Sequence, residues 1–337
     1  MPQTPAPVDL TVDHVERGDA TTRVTRVTTT SPASDDTFVL VPGVGVAATY
    51  FEFLAPTLAI RGDVYSLDLP GFAGMPRTDE QPTAAYFADQ VEAVLDHYGL
   101  DNPVLVGHSM GTQVVTEVLV RRPHLSHAVL VSPVINEAES AVWIQAVRFI
   151  QAGVRESFHL AMTALSAYIL CGLVYFLTVL PNMLRYRISE RIGEAKARVL
   201  LIRGEFDRTS PRRFHSRLVA AAPDAWRWEI EGAAHSIING HAIGVARLTV
   251  EHRDGTLARR GRMPSAEAEV PPARHADTEM VIAAIRSRAA EWISALRRDE
   301  RGVARAKAEH ARILWRAYAP GRSQREAVQK KASPQRG

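Results

Sequence analysis

Gly107-His108-Ser109-Met110-Gly111 joins the apolar run Pro103-Val104-Leu105-Val106 to a stretch whose Val114, Val115, Val118 and Leu119 share a helical face. A serine at a sharp strand-to-helix turn can be presented as a nucleophile, because small residues two before and two after it let the backbone bend. The helix that follows directs its free N–H groups toward the site, where they favour developing negative charge. A serine hydroxyl is a weak nucleophile until a base takes its proton, and that base needs a third group to fix its tautomer. Gly204-Glu205-Phe206-Asp207 follows the apolar run 198–203, and Gly232-Ala233-Ala234-His235 follows Trp226 to Ile230. His235 is therefore the candidate base and Asp207 its orienting acid. Glu205, and Asn136 and Glu137 after an earlier strand, are rivals for the acid. His97, His215 and His241 read as helix or surface residues.

Acyl transfer also requires donors for an oxyanion. Met110, next to the nucleophile, is expected to offer its N–H. Val44 is expected to offer the other from the loop Pro42-Gly43-Val44-Gly45-Val46, with Gly45 as the runner-up. Gly43 and His108, beside the nucleophile, and Tyr168 and Phe176, in an apolar stretch described below, are the candidate substrate contacts. Nothing in the sequence calls for a cofactor or a metal. The lone Cys171 has no partner for a disulfide or a cysteine-rich metal site and is expected to be buried and inert.

These residues need a scaffold that gathers strand ends. Short apolar runs at 37–41, 63–67, 103–106, 127–131, 198–203 and 226–230 alternate with helical patterns, among them Phe87, Val91, Val94, Leu95 and Tyr98. Such alternation predicts a mostly parallel sheet with helices on both faces and ligands beyond the carboxyl ends of its strands. The reading divides the chain into a loose arm (1–21), a core (22–134 and 197–297), an inserted helical cap (135–196) and a basic tail (298–337). Within the core, 249–276 looks like a polar surface excursion, and Val281, Ile285, Ala289, Trp292 and Leu296 form a helical face suited to packing on the sheet.

Of the 337 residues, 46% are hydrophobic and 23% charged, with a net charge of +3, which excludes disordered and fibrous classes. The charge is uneven: from Arg297 onward twelve basic residues face four acidic ones. That tail reads as a solvated helix with a frayed end. It lacks a nucleic-acid module, and lipid docking is its second reading. The opening Met1-Pro2-Gln3-Thr4-Pro5-Ala6-Pro7 has no secretory pattern, so a cytoplasmic location is expected, with peripheral membrane contact through the cap or tail as a further expectation.

Leu40-Val41-Pro42-Gly43, Asp68-Leu69-Pro70-Gly71-Phe72 and the three motifs around Ser109, Asp207 and His235 together resemble the α/β-hydrolase superfamily over about residues 22–245. The resemblance is to members with one core and a cap: carboxylesterases, monoacylglycerol lipases and carbon–carbon bond hydrolases. Pro42-Gly43 stands where the family usually has His-Gly. Serine at 109 separates the chain from haloalkane dehalogenases and epoxide hydrolases, which use a carboxylate nucleophile. The resemblance implies a serine hydrolase, with an ester hydrolase as the first reading, a carbon–carbon bond hydrolase or lyase as the second, and a non-catalytic binding protein as the third.

Leu160 to Leu180 carries no charge and is long enough to span a bilayer. It lies between two core strands, however, and Thr163, Ser166, Thr178 and Pro181 suggest two short helices. A cap roofing an apolar pocket is the expectation, with a small hydrophobic ester-like substrate beneath it.

Overall fold

Every apolar run named above is a strand. The computed structural model describes residues 8–137, 170–271, 273 and 278–318. In chain order the main elements are β1 (Val8–Arg17), β2 (Ala20–Thr29), β3 (Asp36–Val41), α1 (Leu54–Leu58), β4 (Gly62–Asp68), α2 (Ala84–His97), β5 (Val104–His108), α3 (Gly111–Arg121) and β6 (His127–Val131). There follow α4 (Leu173–Arg185), β7 (Arg198–Gly204), α5 (Arg212–Ala221), β8 (Ala225–Ile230), α6 (Ala242–Arg253), β9 (Arg260–Met263), α7 (Thr278–Leu296) and α8 (Glu300–Tyr318). The strands form one sheet in the order β1-β2-β4-β3-β5-β6-β7-β8-β9. β1, β2 and β4 pair antiparallel, and every other neighbouring pair is parallel.

The central strands are buried on both sides, which explains their unbroken apolar sequences. Val39, Val41, Leu105, Leu130 and Leu201 join the core beneath α2, α3 and α4. Their neighbours Phe38, Leu40, Val104, Val106, Val129 and Ile202 join the core on the opposite face, with α1 and α6. Thr83 caps α2 by accepting from the Tyr86 N–H at 3.1 Å, and Phe87, Val91, Val94 and Leu95 are buried as their spacing predicts.

Three expectations fail outside this centre. Residues 8–17 are not a loose arm: β1 pairs along its whole length with β2, from Val8 opposite Thr29 to Arg17 opposite Ala20, across a turn at Gly18 with φ +62°. As an edge strand with one wet face it shows only partial apolar alternation. The stretch 249–276 is more than a surface excursion, because Arg260–Met263 pairs in parallel with β8 as a ninth strand. The first half of the basic tail is a packed helix. Val303, Ala306, Lys307, His310, Ile313 and Ala317 of α8 are buried, and Glu300 binds Arg23 Nη2 at 2.7 Å and His14 Nε2 at 2.9 Å.

The reversal at α7 is larger. Most of the face expected to pack on the sheet points outward, with Val281 49%, Ile285 63% and Leu296 65% exposed and Ala289 and Trp292 half-buried, while Ser287, Glu291 and Ala295 are buried. The polar stripe can be buried because each charge finds a partner. Arg288 pairs with Glu52 and, at 2.7 Å, with Glu291. Lys307 of α8 lies 3.4 Å from Glu291 and 3.3 Å from Asp68, and His310 Nδ1 lies 2.8 Å from the Ser287 hydroxyl.

Of the apolar cap stretch, Leu170 onward is described; Tyr168 and residues 138–167 lie outside the described residues. The expected helix break falls at Gly172, φ +77°, and α4 runs on through Pro181. Among the described residues no helix is long and apolar enough to cross a membrane. Cys171 is buried, and burial pushes its thiol pKa up to about 11.

Candidate active site

Ser109 sits between β5 and α3 with φ +55°, a left-handed conformation that costs a non-glycine residue about 1–3 kcal/mol. Its N–H is held by the Val131 carbonyl of β6 at 3.0 Å. The flanking glycines follow from contact distances. A methyl group on Gly107 would lie 2.4 Å from the Gly111 carbonyl oxygen, and one on Gly111 would lie 2.2 Å from the Val41 carbonyl oxygen. The turn is therefore wedged between β3 and its own helix.

The Gly43–Val46 loop crosses directly over the serine. A methyl group on Gly43 would come within 3.0 Å of Ser109 Cβ and 3.5 Å of Oγ. Val46 N–H closes the turn on the Gly43 carbonyl at 3.3 Å, and Gly45 takes φ +69°. Among the described residues neither the Met110 nor the Val44 N–H donates to an acceptor. Beyond the turn, Asp68 accepts the Ala48 N–H, and Tyr50 bonds the Ser236 hydroxyl at 2.8 Å, tying this loop to the residue after His235.

His235 Nδ1 lies 3.0 Å from Asp207 Oδ2 and 2.8 Å from Thr209 Oγ1. The other carboxylate oxygen accepts the Thr209 N–H at 3.0 Å, the Ser210 N–H at 3.1 Å and the Thr209 hydroxyl at 2.6 Å. Burial alone would raise the Asp207 pKa. The adjoining His235, with the Thr209 hydroxyl donor and the nearby Ser132 hydroxyl, overcomes that and holds the carboxyl well below the usual carboxylate range. Beneath the acid loop the Arg203 guanidinium donates to the carbonyls of Asp207 (3.0 Å) and Ser210 (2.8 Å). The His235 carbonyl accepts from Ser132 Oγ at 3.1 Å and from His108 Nε2 at 3.2 Å, so His108 carries its proton on Nε2. Burial, then the nearby His235, lowers the His108 pKa to about 3 and keeps its ring neutral.

The rival acids have other partners. Glu205 accepts the Gly232 N–H at 3.1 Å and binds Arg262 at 2.8 Å, which steadies the loop leading to His235. Asn136 binds Arg217, and Glu137 accepts the Ser189 N–H at 2.9 Å. His215, read as a helix or surface residue, lies on α5 but is buried, with its pKa lowered by burial to about 3. Phe176 is half-buried on α4 against the core beneath that helix. The neighbouring Tyr175 makes the closer approach, its hydroxyl donating to the Pro70 carbonyl at 3.2 Å and its ring filling the space a side chain at Gly71 would need. Sequence reading missed Tyr175, Thr209, Ser132 and Arg203. Thr209 had a local signal, since an aspartate followed two residues later by threonine is a common turn in which the side chain captures the backbone. Among the described residues no cluster of histidine, cysteine, aspartate or glutamate could hold a metal.

Comparison with known proteins agrees with this architecture. A rice (Oryza sativa subsp. japonica) protein named probable 1-acylglycerol-3-phosphate O-acyltransferase is 32% identical over 116 residues, which is 33% of this chain and only 28% of that relative. The 2-hydroxy-6-oxo-6-phenylhexa-2,4-dienoate hydrolase from Rhodococcus sp. strain RHA1 superposes with a TM-score of 0.61 at 17% identity, covering 74% of this chain and 100% of its own. Carboxylesterase CesB from Bacillus subtilis superposes with a TM-score of 0.57 at 16% identity, covering 74% of this chain and 94% of its own. At these identities the superpositions show a shared fold. The model of the alpha/beta hydrolase family matches residues 38–248, from β3 into α6, and the chain belongs to that family.

Proposed function

We propose that the protein is a serine hydrolase that cleaves hydrophobic carboxylic esters through an acyl-enzyme on Ser109. The observation that carries this reading is the 3.0 Å bond between His235 Nδ1 and Asp207, in a loop tied by Ser132 and His108 to the strand ends that present Ser109. With Nδ1 bonded to the carboxylate, Nε2 is assigned the role of base. Ser109 Oγ attacks the ester carbonyl carbon as Nε2 takes its proton. The resulting oxyanion is held by the N–H groups of Met110 and Val44, each worth about 3 kcal/mol to the barrier. The proton passes to the departing alcohol, and water, deprotonated by the same nitrogen, releases the acid. Asp207 stays ionised throughout, as its depressed pKa requires.

A hydrophobic acyl or aromatic group suits this setting, since Met110, next to Ser109, and Val44, in the loop that crosses it, are apolar and buried. The test is labelling by a fluorophosphonate, followed by esters of graded chain length. Wild type should label and prefer longer acyl chains, with labelling lost in Ser109→Ala and His235→Ala. An unlabelled wild type overturns the enzymatic reading; preference for short, water-soluble esters overturns the hydrophobic one.

A further inference from the structure

Nine large hydrophobic side chains are exposed among the described residues, and they are not scattered. Leu173, Val174 and Leu177 lie on α4, and Phe206 follows β7. The remaining five, Val281, Ile282, Ile285, Ile293 and Leu296, all lie on α7. The two helices pack on one loop beyond β4. Tyr175 of α4 closes over Gly71, and the Cys171 carbonyl just before α4 accepts from Arg77 at 2.6 Å. Ala295 of α7 abuts Gly74, where an added methyl group would meet it at 3.0 Å. α7 also reaches the loop next to Ser109 through Arg288 and Glu52. The exposed aliphatic residues thus flank the carboxyl edge of the sheet, where Ser109 and His235 stand. An exposed apolar patch gathered in this way marks an interaction surface.

Charge indicates what covers it. Arg286 on α7, Arg297 and Arg298 just after it, Arg301 in the first turn of α8 and Arg185 at the end of α4 are exposed and make no ion pair among the described residues. The exposed carboxylates of this stretch are two, Glu279 in the first turn of α7 and Asp299 between Arg298 and Arg301, 3.9 Å from Arg305. In a symmetric pair of copies the same patch would meet itself, arginines against arginines with little acid to offset them. An anionic lipid surface supplies the missing negative charge and accepts aliphatic side chains beside it. We infer that α7, with α4 beside it, docks the protein on an anionic lipid surface, placing the mouth of the Ser109 site against the membrane. The second half of that statement, that substrate is met at the lipid surface, rests on the proposed hydrolase reading; the docking does not.

The full chain would be sedimented with vesicles of phosphatidylcholine alone and of phosphatidylcholine with about one third phosphatidylglycerol. Binding to the anionic vesicles should exceed binding to the neutral ones by at least tenfold and fall as salt is raised. The double variant Ile282→Asp/Ile285→Asp and, separately, Arg297→Gln/Arg298→Gln should each lose most of that binding, with melting temperature and hydrolysis of a short soluble ester unchanged. Equal binding by wild type and both variants, or no binding to anionic vesicles, overturns the inference. So does a dimer in sedimentation velocity that Ile282→Asp/Ile285→Asp dissociates, since the face would then belong to a second copy. Fluorophosphonate labelling of the same samples separates the two failures: lost labelling with vesicle binding intact sinks the hydrolase reading alone.

Discussion

Two parts of this molecule bury carboxylates at the same edge of one sheet, in different company. Around Asp207 the partners are short and mostly neutral: one imidazole, two hydroxyls and backbone N–H groups, with the Arg203 cation bonded to carbonyl oxygens of the loop. Beneath α7 permanent cations dominate, although Glu52 also meets His310 and Asn239, at 3.2 and 3.1 Å. Arg23 and Lys307 hold Asp68, and Arg288 holds Glu52 and Glu291. A carboxylate with one titratable partner can answer a proton moving on that partner, as chemistry requires. A carboxylate locked between permanent cations cannot, and its use is to hold chain segments together. Burying such ion pairs is a poor source of net stability, yet removing one member is costly.

The contrast is broken most severely at Asp207. Asp207→Asn should lower kcat about 10⁴-fold while shifting the melting temperature little, since the amide keeps the shape but favours the wrong tautomer of His235; a loss of less than tenfold would place the orienting acid elsewhere. The converse is Arg23→Met, which strips Asp68 and Glu300 of a cation. It should cost about 3–5 kcal/mol in urea unfolding, with turnover per folded molecule kept within a few-fold. A large fall in turnover of the folded fraction would show that the ion pairs serve chemistry as well.

Acid should reveal a smaller effect. Burial lowers the pKa values of His108 and His215 to about 3 and of His127 to about 4, so the native state binds fewer protons than the unfolded chain. Their contribution is complete above the unfolded value near 6.5 and is lost as pH falls from there toward 4 and 3, about 1–2 kcal/mol for each between pH 7 and pH 5. His215→Gln should flatten thermal stability over that window; an unchanged slope would mean that His215 is not buried in the neutral form. The smallest expected change is from Thr209→Val, which removes one hydroxyl from Asp207 and should reduce kcat about tenfold or less, with KM unchanged.

Sequence legibility followed the range of the interactions. The elbow, the Asp207–His235 pair and the central strands were readable because each leaves a local pattern: Gly107 and Gly111 the small residues of a sharp strand-to-helix bend, Leu40 or Val129 an apolar run buried from both sides. α7 was misread because the spacing of Val281, Ile285 and Leu296 reports that an apolar face exists, and says nothing of where it points. Its direction is decided by Glu52, Asp68, Lys307 and His310, which accept the polar stripe from distant positions. β9 was passed over because Arg260-Gly261-Arg262 looks like loop, and β1 because an edge strand carries half a pattern.

The bond between His14 and Glu300 spans 286 positions of sequence. A ribosome adding roughly 5–20 residues per second makes His14 on the order of 15–60 s before Glu300 exists. β1 finds β2 at once across its short turn and meets α2 and its C-terminal end soon after, through Arg17 with Asp89 at 3.1 Å and Tyr98 with Asp13 at 3.1 Å, but its contacts with α8 come far later. During synthesis the sheet therefore grows outward from an edge whose outer contacts are half made, and the clasp by α8 is a late, long-range event in the maturation of the chain.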